Sequence, residues 1–273
     1  MTAHQQRLAT AATGLIVAAG LFPLYWAVAA SLGPESRLFD APSLIPTTIV
    51  LDHYRALFEE RDFLVPIRNS LVVAGATTIL AVSAGALCAY ALARLRFRGK
   101  TAILAGVLAI SMFPQISIVS PLFLLLRWLG LINTFPGLIL PYLTFAMPLS
   151  VWLLVGFFRQ LPAEIEEAGL MDGASRLRTF WDLVVPLAWP GVATTAILTF
   201  LYSWNEFLFA LSFTLGPERH TVPVAITLFR GQYQVAWGQI LAGAIVATAP
   251  VALIVLVAQR RIVQGLTAGA VKG

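Results

Sequence analysis

Three glutamates, Glu164, Glu166 and Glu167, precede Asp172-Gly173 in a short polar stretch between two long runs that carry no charge, Trp128 to Phe158 and Leu183 to Trp204. These residues are the best placed in the chain to do chemistry, and the chemistry they suit is docking rather than bond making. Pro162 fits the first turn of a helix, where its missing N–H is not needed. The glutamates then suit the positive end of the helix dipole. Ile165, Ala168 and Gly169 share one face at i, i+3 and i+4, and the two small residues let another surface approach the backbone. Asp172-Gly173 predicts a stop and a turn, with the glycine free to take positive φ. Ser175 is a good N-cap for a second helix. In it Leu177, Phe180, Trp181, Val184 and Val185 repeat at helical spacing, while Arg176, Arg178 and Asp182 point elsewhere. Pro186 and Pro190 close it, so the two helices predict a rigid elbow. A helix lying on lipid favours Lys and Arg on its polar side. The first helix offers only carboxylates, which favours a protein as the docking partner.

The elements that must position this loop are apolar. The chain has 273 residues, 59% hydrophobic and only 11% charged, against about 25% charged for a soluble domain. Charge-free runs occupy Leu8 to Pro34, Asn69 to Ala93, Thr101 to Leu126, Trp128 to Phe158, Leu183 to Asn205 and Gly231 to Gln259. About 20 apolar residues cross a bilayer core as a helix, and uniformly apolar runs argue for helices over a barrel. The expectation is an all-α membrane protein with six transmembrane helices in a single domain over 1–273. The spans fall at approximately 10–31, 69–93, 102–124, 138–158, 190–211 and 237–259. They leave a loop over 159–189 and a tail over 260–273. The first run resembles a secretory signal with Ala27-Val28-Ala29 as a small-residue cleavage site, but its apolar core is longer than the 7–15 residues usual there. It is taken as a retained span.

A net charge of +5 could suggest nucleic acid, but its distribution points to a membrane instead. Arg94, Arg96, Arg98 and Lys100 crowd one short loop. Arg159, Arg176, Arg178, Arg260, Arg261, Lys272 and Arg7 fall on the same side of a six-span arrangement. The positive-inside rule then places both termini in the cytoplasm. Arg37, Arg55, Arg61, Arg68, Arg127, Arg219 and Arg230 lie on the other side, yet the compact RLRFRGK loop next to span ends carries more weight. It also forces spans two and three to be antiparallel neighbours. Cys88 is the only cysteine, so neither an intramolecular disulfide nor a Cys-cluster metal site can form; packing is its role.

Residues 31–67 form the longest outer connection, with Leu51, Tyr54, Leu57 and Phe58 spaced for a short helix. Prolines at 114, 121, 136, 141 and 148 crowd the middle of the chain. Leu131 to Gly137 reads as a turn, Pro141 as lying near the start of span four, and Pro114 and Pro148 as kinks. Glu206 is an ionisable group within span five, beside Asn205. Two readings stand: both residues line a solute path, or Glu206 is glue between helices. No internal repeat is visible. No phosphate-loop motif occurs, since Gly99-Lys100-Thr101 has Arg94 where the upstream glycine belongs. HExxH, GxSxG and paired intramembrane aspartates are also missing, so no catalytic or metal-binding residue is expected. An ion-coupled secondary transporter would want acidic or His relays within spans, and Glu206 is nearly alone there.

The pattern Glu167-Ala168-Gly169, Asp172-Gly173-Ala174, Phe180, Pro186 and Pro190 resembles the signature of permeases in binding-protein-dependent ABC importers, with Gly169 where that family has Ala. Trp204-Asn205-Glu206-Phe207, the tail Gly265 to Gly273, Asn69-Ser70 and the RLRFRGK loop are similar to carbohydrate permeases of the maltose and trehalose type. The resemblance implies the type I ABC importer permease fold with a cytoplasmic coupling helix, in the cytoplasmic (inner) cell membrane. It implies that Glu166, Glu167, Ala168, Gly169, Leu170, Met171, Asp172, Gly173 and Ala174 couple to an ATPase. It further implies that the tail, with Thr267, Gly269 and Lys272, reaches that ATPase. The implied partners are a second permease subunit in a heterodimer, two copies of a cytoplasmic ATP-binding subunit, an extracytoplasmic sugar-binding protein and membrane lipid. ATP and Mg would be bound by the ATPase, so this chain needs no cofactor of its own. The implied cargo is an α-linked disaccharide such as trehalose or maltose, or in related permeases a glycerol-phosphate ester.

Overall fold

The computed structural model describes residues 3–37, 48–229 and 235–270, with side chains through Val257. Its backbone forms two compact units, Met1–Leu64 with Ala225–Pro250, and Val65–Val224 with Val251–Gly273. Every regular element among the described residues is helical.

In the first unit α1 (Ala3–Ser31) and α2 (Asp52–Glu59) are fastened by polar contacts at their ends. Ser31 Oγ and Tyr54 Oη share a hydrogen bond at 2.7 Å, and His53 Nε2 lies 3.0 Å from the Gly33 carbonyl. α2 matches the short helix expected around Leu51 to Phe63, with Leu57 and Phe63 fully buried. α1 differs from every other long helix: the apolar window inside His4–Ser31 is 0% buried.

The second unit is built on α3 (Leu64–Arg94), which is buried in pairs that recur every four residues: Asn69 and Ser70, Val73 and Ala74, Thr77 and Thr78, through Ala89 and Tyr90. Four residues overshoot a turn of 3.6 by about 40°, so the buried stripe winds around the helix and meets different neighbours at its two ends. Small residues sit on that stripe and allow a close crossing. A Cβ at Gly85 would stand 3.0 Å from Ser150 Cβ of α6 (Phe135–Gln160).

Among the described residues, four helices are long and apolar enough to cross a membrane: His4–Ser31, Leu64–Arg94, Phe135–Gln160 and Trp237–Val257. Counting each of two bent pairs as one span gives up to six. The run expected as one span over 102–124 is divided: α4 (Lys100–Ser111) and α5 (Gln115–Trp128) meet at 90°. The break falls at Pro114, which has no N–H to donate and restricts Phe113 before it. The run expected over 190–211 is also divided. After α7 (Glu164–Met171), α8 (Arg176–Thr179), a π-helical turn over Phe180–Val184 and α9 (Val185–Leu187) meet α10 (Trp189–Trp204) at 80°. α10 ends at Asn205, and α11 (Leu208–Phe213) follows as a separate short helix.

The reading of Pro141 needs correction. α6 begins at Phe135, its cap Thr134 accepting from Gly137 N at 3.2 Å, so Pro141 and Pro148 both lie inside one unbroken helix. Pro148 has no N–H and so leaves the Thr144 carbonyl without its helical donor; Thr144 lines a cavity. α12 (Val222–Thr227) and α13 (Trp237–Ala270) complete the chain, and the helix expected to stop near 259 continues through most of the expected tail.

The close crossing at Gly85 gives a stability test. Gly85→Val forces its new methyls into Ser150, whereas Gly75→Val on the same helix enters open space. Overpacking costs about 1–3 kcal/mol. Denaturant unfolding in detergent micelles is expected to show that loss for Gly85→Val alone.

Candidate functional site

α7 ends in two turn hydrogen bonds: Gly173 N donates to the Leu170 carbonyl at 3.1 Å, and Ala174 N to the Gly169 carbonyl at 3.1 Å. With Gly173 at φ +82°, this is a Schellman termination, which needs a left-handed residue where glycine stands. Ser175 then caps the next turn as expected, its Oγ accepting from Arg178 N at 3.3 Å. Between the two predicted closing prolines, the second arm meets α10 in an 80° bend at Ala188.

The faces of the loop divide differently from the simple repeat. Gly169 is buried and turned into the loop itself: a Cβ there would lie 2.8 Å from Leu183 Cδ1 and 3.3 Å from Thr179 Oγ1. Ala168, its expected companion, faces outward with Glu167, Leu170, Met171, Asp172 and Gly173, while Ala174 is half-buried. The small-residue face is therefore split, and Gly169 serves the approach of the loop's own second arm. That arm is split too. Phe180 and Val184 are buried, but Leu177 and Trp181 are exposed. A π-turn spreads the backbone over Phe180–Val184, which shifts positions that an ideal α-helix would align. Arg178 and Asp182 pair at 3.2 Å on the exposed side, a contact of small energetic worth there.

Glu166 is half-buried and faces inward. Its Oε1 lies 2.8 Å from Arg94 Nε, with the two side chains only 15% and 13% exposed. This is an ion pair off the hydrogen-bond line, since neither of those two atoms has a directed hydrogen bond. The directed bonds run beside it: Tyr90 Oη donates to Glu166 Oε2 at 3.1 Å, and Arg94 Nη2 donates to the Leu161 carbonyl at 2.5 Å. Tyr90 also belongs to an aromatic trio with Phe158 and Phe180. Ring centroids lie 6.5 Å apart for Tyr90–Phe158, 4.9 Å for Tyr90–Phe180 and 6.1 Å for Phe158–Phe180, within the range where such pairs attract. The loop is thus seated on the ends of α3 and α6. Sequence reasoning missed Tyr90 and Arg94. The only signal for Arg94 was its place in a basic loop, and nothing local pairs it with a glutamate over 70 positions away.

At the other end of α3 a second polar cluster holds the stretch between α11 and α12. Asn69 Nδ2 donates to the carbonyls of Glu218 and His220 at 2.9 and 3.0 Å, and Ser70 Oγ accepts from Val222 N at 2.8 Å. Asn133, at φ +61°, is the hub of the facing turn. It donates to Glu218 Oε1 at 2.7 Å and accepts from Leu215 N at 3.0 Å. Arg219 lies over the Phe135 ring at 4.6 Å.

Glu206 is 7% exposed and spends its carboxylate locally, Oε1 accepting from Phe209 N at 2.8 Å and Oε2 from Ala210 N at 3.1 Å. It caps α11. Asn205 is exposed and donates to the Leu201 carbonyl at 2.8 Å. A cavity of about 340 Å³ opens nearby between Leu108, Ser111, Phe145, Pro148, Leu149, Trp152 and Tyr202, and neither Asn205 nor Glu206 is among its lining residues. The backbone of Thr267 and Gly269 lies in α13, and Lys272 lies outside the described residues. Among the described residues no group of three His, Cys, Asp or Glu side chains could hold a metal.

The family described as "Binding-protein-dependent transport system inner membrane component" matches residues 81–268. The trehalose transport system permease protein SugB of Mycobacterium tuberculosis is 48% identical over 261 residues, covering 95% of each chain. The trehalose/maltose transport system permease protein MalG of Thermococcus litoralis is 39% identical over 256 residues, covering 93% of this chain and 92% of that one. A chain of a bacterial ABC transporter involved in the import of the acidic polysaccharide alginate superposes with a TM-score of 0.77 at 20% identity, covering 95% of this chain and 98% of that one. That likeness concerns the fold.

The second polar cluster has a pH signature. The Asn133 amide, first, and then backbone hydrogen bonding hold the Glu218 carboxyl below its ordinary value of 4.5. A depressed folded pKa contributes stability that is present above the ordinary value and lost as pH falls through the lower folded one. Asn133→Ala is expected to move the Glu218 midpoint upward, towards 4.5, in a carboxyl-carbon NMR titration; an unmoved midpoint contradicts the assigned cause.

Proposed function

Because this chain belongs to the family of binding-protein-dependent transport system inner membrane components, we propose that it is a permease subunit of an ATP-driven importer that carries a sugar, with trehalose or maltose as the cargo. The names of its relatives support that cargo. The coupling role rests on one observation: a Schellman-capped helix whose outward side offers Glu167, Ala168, Met171 and Asp172, fastened inward through Glu166. Met171 is 88% exposed, and an apolar side chain so bare beside two carboxylates suits a cleft in another protein better than water. The reading places the loop and both termini in the cytoplasm, as the basic loops require.

In this reading two permease subunits pair as a heterodimer. Two copies of a cytoplasmic ATP-binding subunit close on ATP and draw the α7 helices together. The bundle opens outward to take sugar from an external binding protein, then reverses. Glu167, Ala168, Leu170, Met171, Asp172, Gly173 and Ala174 touch the ATPase, Glu166 and Gly169 shape the helix that does so, and the 260–273 tail makes a second contact. Asn205 and Glu206 shape the end of α10 beside the solute path. A glycerol-phosphate ester is the alternative cargo.

Gly173→Pro tests the coupling role. Proline cannot take φ near +82° and has no N–H for the Leu170 carbonyl. Membrane insertion is expected to persist while co-purification of the ATPase and uptake are lost; normal uptake contradicts the role. For the cargo, radiolabelled trehalose uptake by whole cells is expected to be inhibited by excess trehalose or maltose. Inhibition by glycerol 3-phosphate instead assigns the alternative.

A further inference from the structure

We propose that α3 is the rigid rod by which movement of α7 reaches the stretch between α11 and α12 on the opposite side, an inference that rests on the coupling reading above. Both polar clusters of the second unit are anchored on this helix. Its inner end holds α7 through Tyr90 and Arg94 on Glu166. Its outer end holds Glu218, His220 and Val222 through Asn69 and Ser70. Asn69 and Tyr90 stand roughly 32 Å apart along the axis at 1.5 Å per residue, about the thickness of the apolar core of a bilayer.

The other routes across the unit are interrupted or softened. α4 and α5 meet at 90°, α9 and α10 at 80°, and α6 carries two internal prolines. α3 has its single proline, Pro66, in the first turn, outside the two attachments. A helix with every internal backbone hydrogen bond available resists bending, so a displacement imposed at Tyr90 arrives at Asn69. The winding stripe adds rotation to that: burial recurs every four residues, so a shift of α3 along its stripe also turns it about its axis. Tyr90 and Arg94 are positioning residues in this scheme, acting through Glu166, and Asn69 and Ser70 are their counterparts outside.

The test uses the complete transporter in proteoliposomes with its sugar-binding protein added outside, measuring ATP hydrolysis with and without the loaded binding protein. Tyr90→Phe keeps the ring and removes one hydroxyl; Arg94→Gln removes the charge; Ser70→Ala and Asn69→Ala loosen the outer end. Basal hydrolysis and subunit co-purification are expected to stay at the native level in Tyr90→Phe and Ser70→Ala. Stimulation by the binding protein is expected to fall about tenfold when either end is broken, and no further when both are, because links in series are not additive. Native basal hydrolysis and co-purification in Tyr90→Phe and Ser70→Ala separate coupling from misfolding. Full stimulation in the single variants, or additive losses in the combined ones, overturns the rod. A native complex that assembles no ATPase, or shows no stimulation, overturns the transporter reading instead.

Discussion

The ion pair between Arg94 and Glu166 is the constraint on which the rest of the second unit depends. Two opposite charges shielded from water repay their desolvation only when further bonds satisfy them. Here Tyr90 and the Leu161 carbonyl supply those bonds, and the Tyr90–Phe158–Phe180 rings exclude water from one side. Removing one partner of such a pair costs about 3–5 kcal/mol because the other charge is stranded. A fastening of that kind is either closed or broken, with little in between. It suits a joint that must transmit motion without slack.

Around that joint, apolar helices accommodate bends by finding other partners for the backbone. Thr194 Oγ1 donates to the Pro190 carbonyl at 2.8 Å and Thr195 Oγ1 to the Gly191 carbonyl at 2.9 Å, just beyond the 80° bend. Ser150 Oγ bonds both the Ala146 carbonyl and Thr199 Oγ1, tying α6 to α10. Away from water each unsatisfied backbone group is costly, so hydroxyls cluster where helices turn. The same economy explains Glu206. Its carboxylate answers the free N–H groups at the start of α11.

Much of this was legible in the sequence where one local rule decides the outcome. Gly173 and Ser175 could be assigned to turn and cap because each role needs a particular residue type at a particular step. Pro114 was legible as a disturbance for the same reason, read as a kink where the helix in fact breaks. Pro148, also read as a kink, lies inside an unbroken helix, because the surroundings of a proline and not its own type decide between bend and break. The split of the loop's second arm was hidden by the π-turn over Phe180–Val184, which changes the angular spacing that any helical repeat assumes. Glu166 was legible as a carboxylate at a helix start, but its partners Tyr90 and Arg94 were not, since nothing local records a contact made across so much chain. Asn133 was hidden likewise: its left-handed backbone suits a turn, yet its bonds reach Leu215 and Glu218.

α1 carries a different consequence. A helix with no fully buried residue in its apolar window gains little from intramolecular packing and owes much of its stability to the surrounding medium. Hydrogen bonds fasten its last turn to α2 through Ser31 and the adjoining Gly33. The sides of α1 are thus left to acyl chains or to a neighbouring protein, and changes in lipid thickness would be felt there before they reach the helices that move.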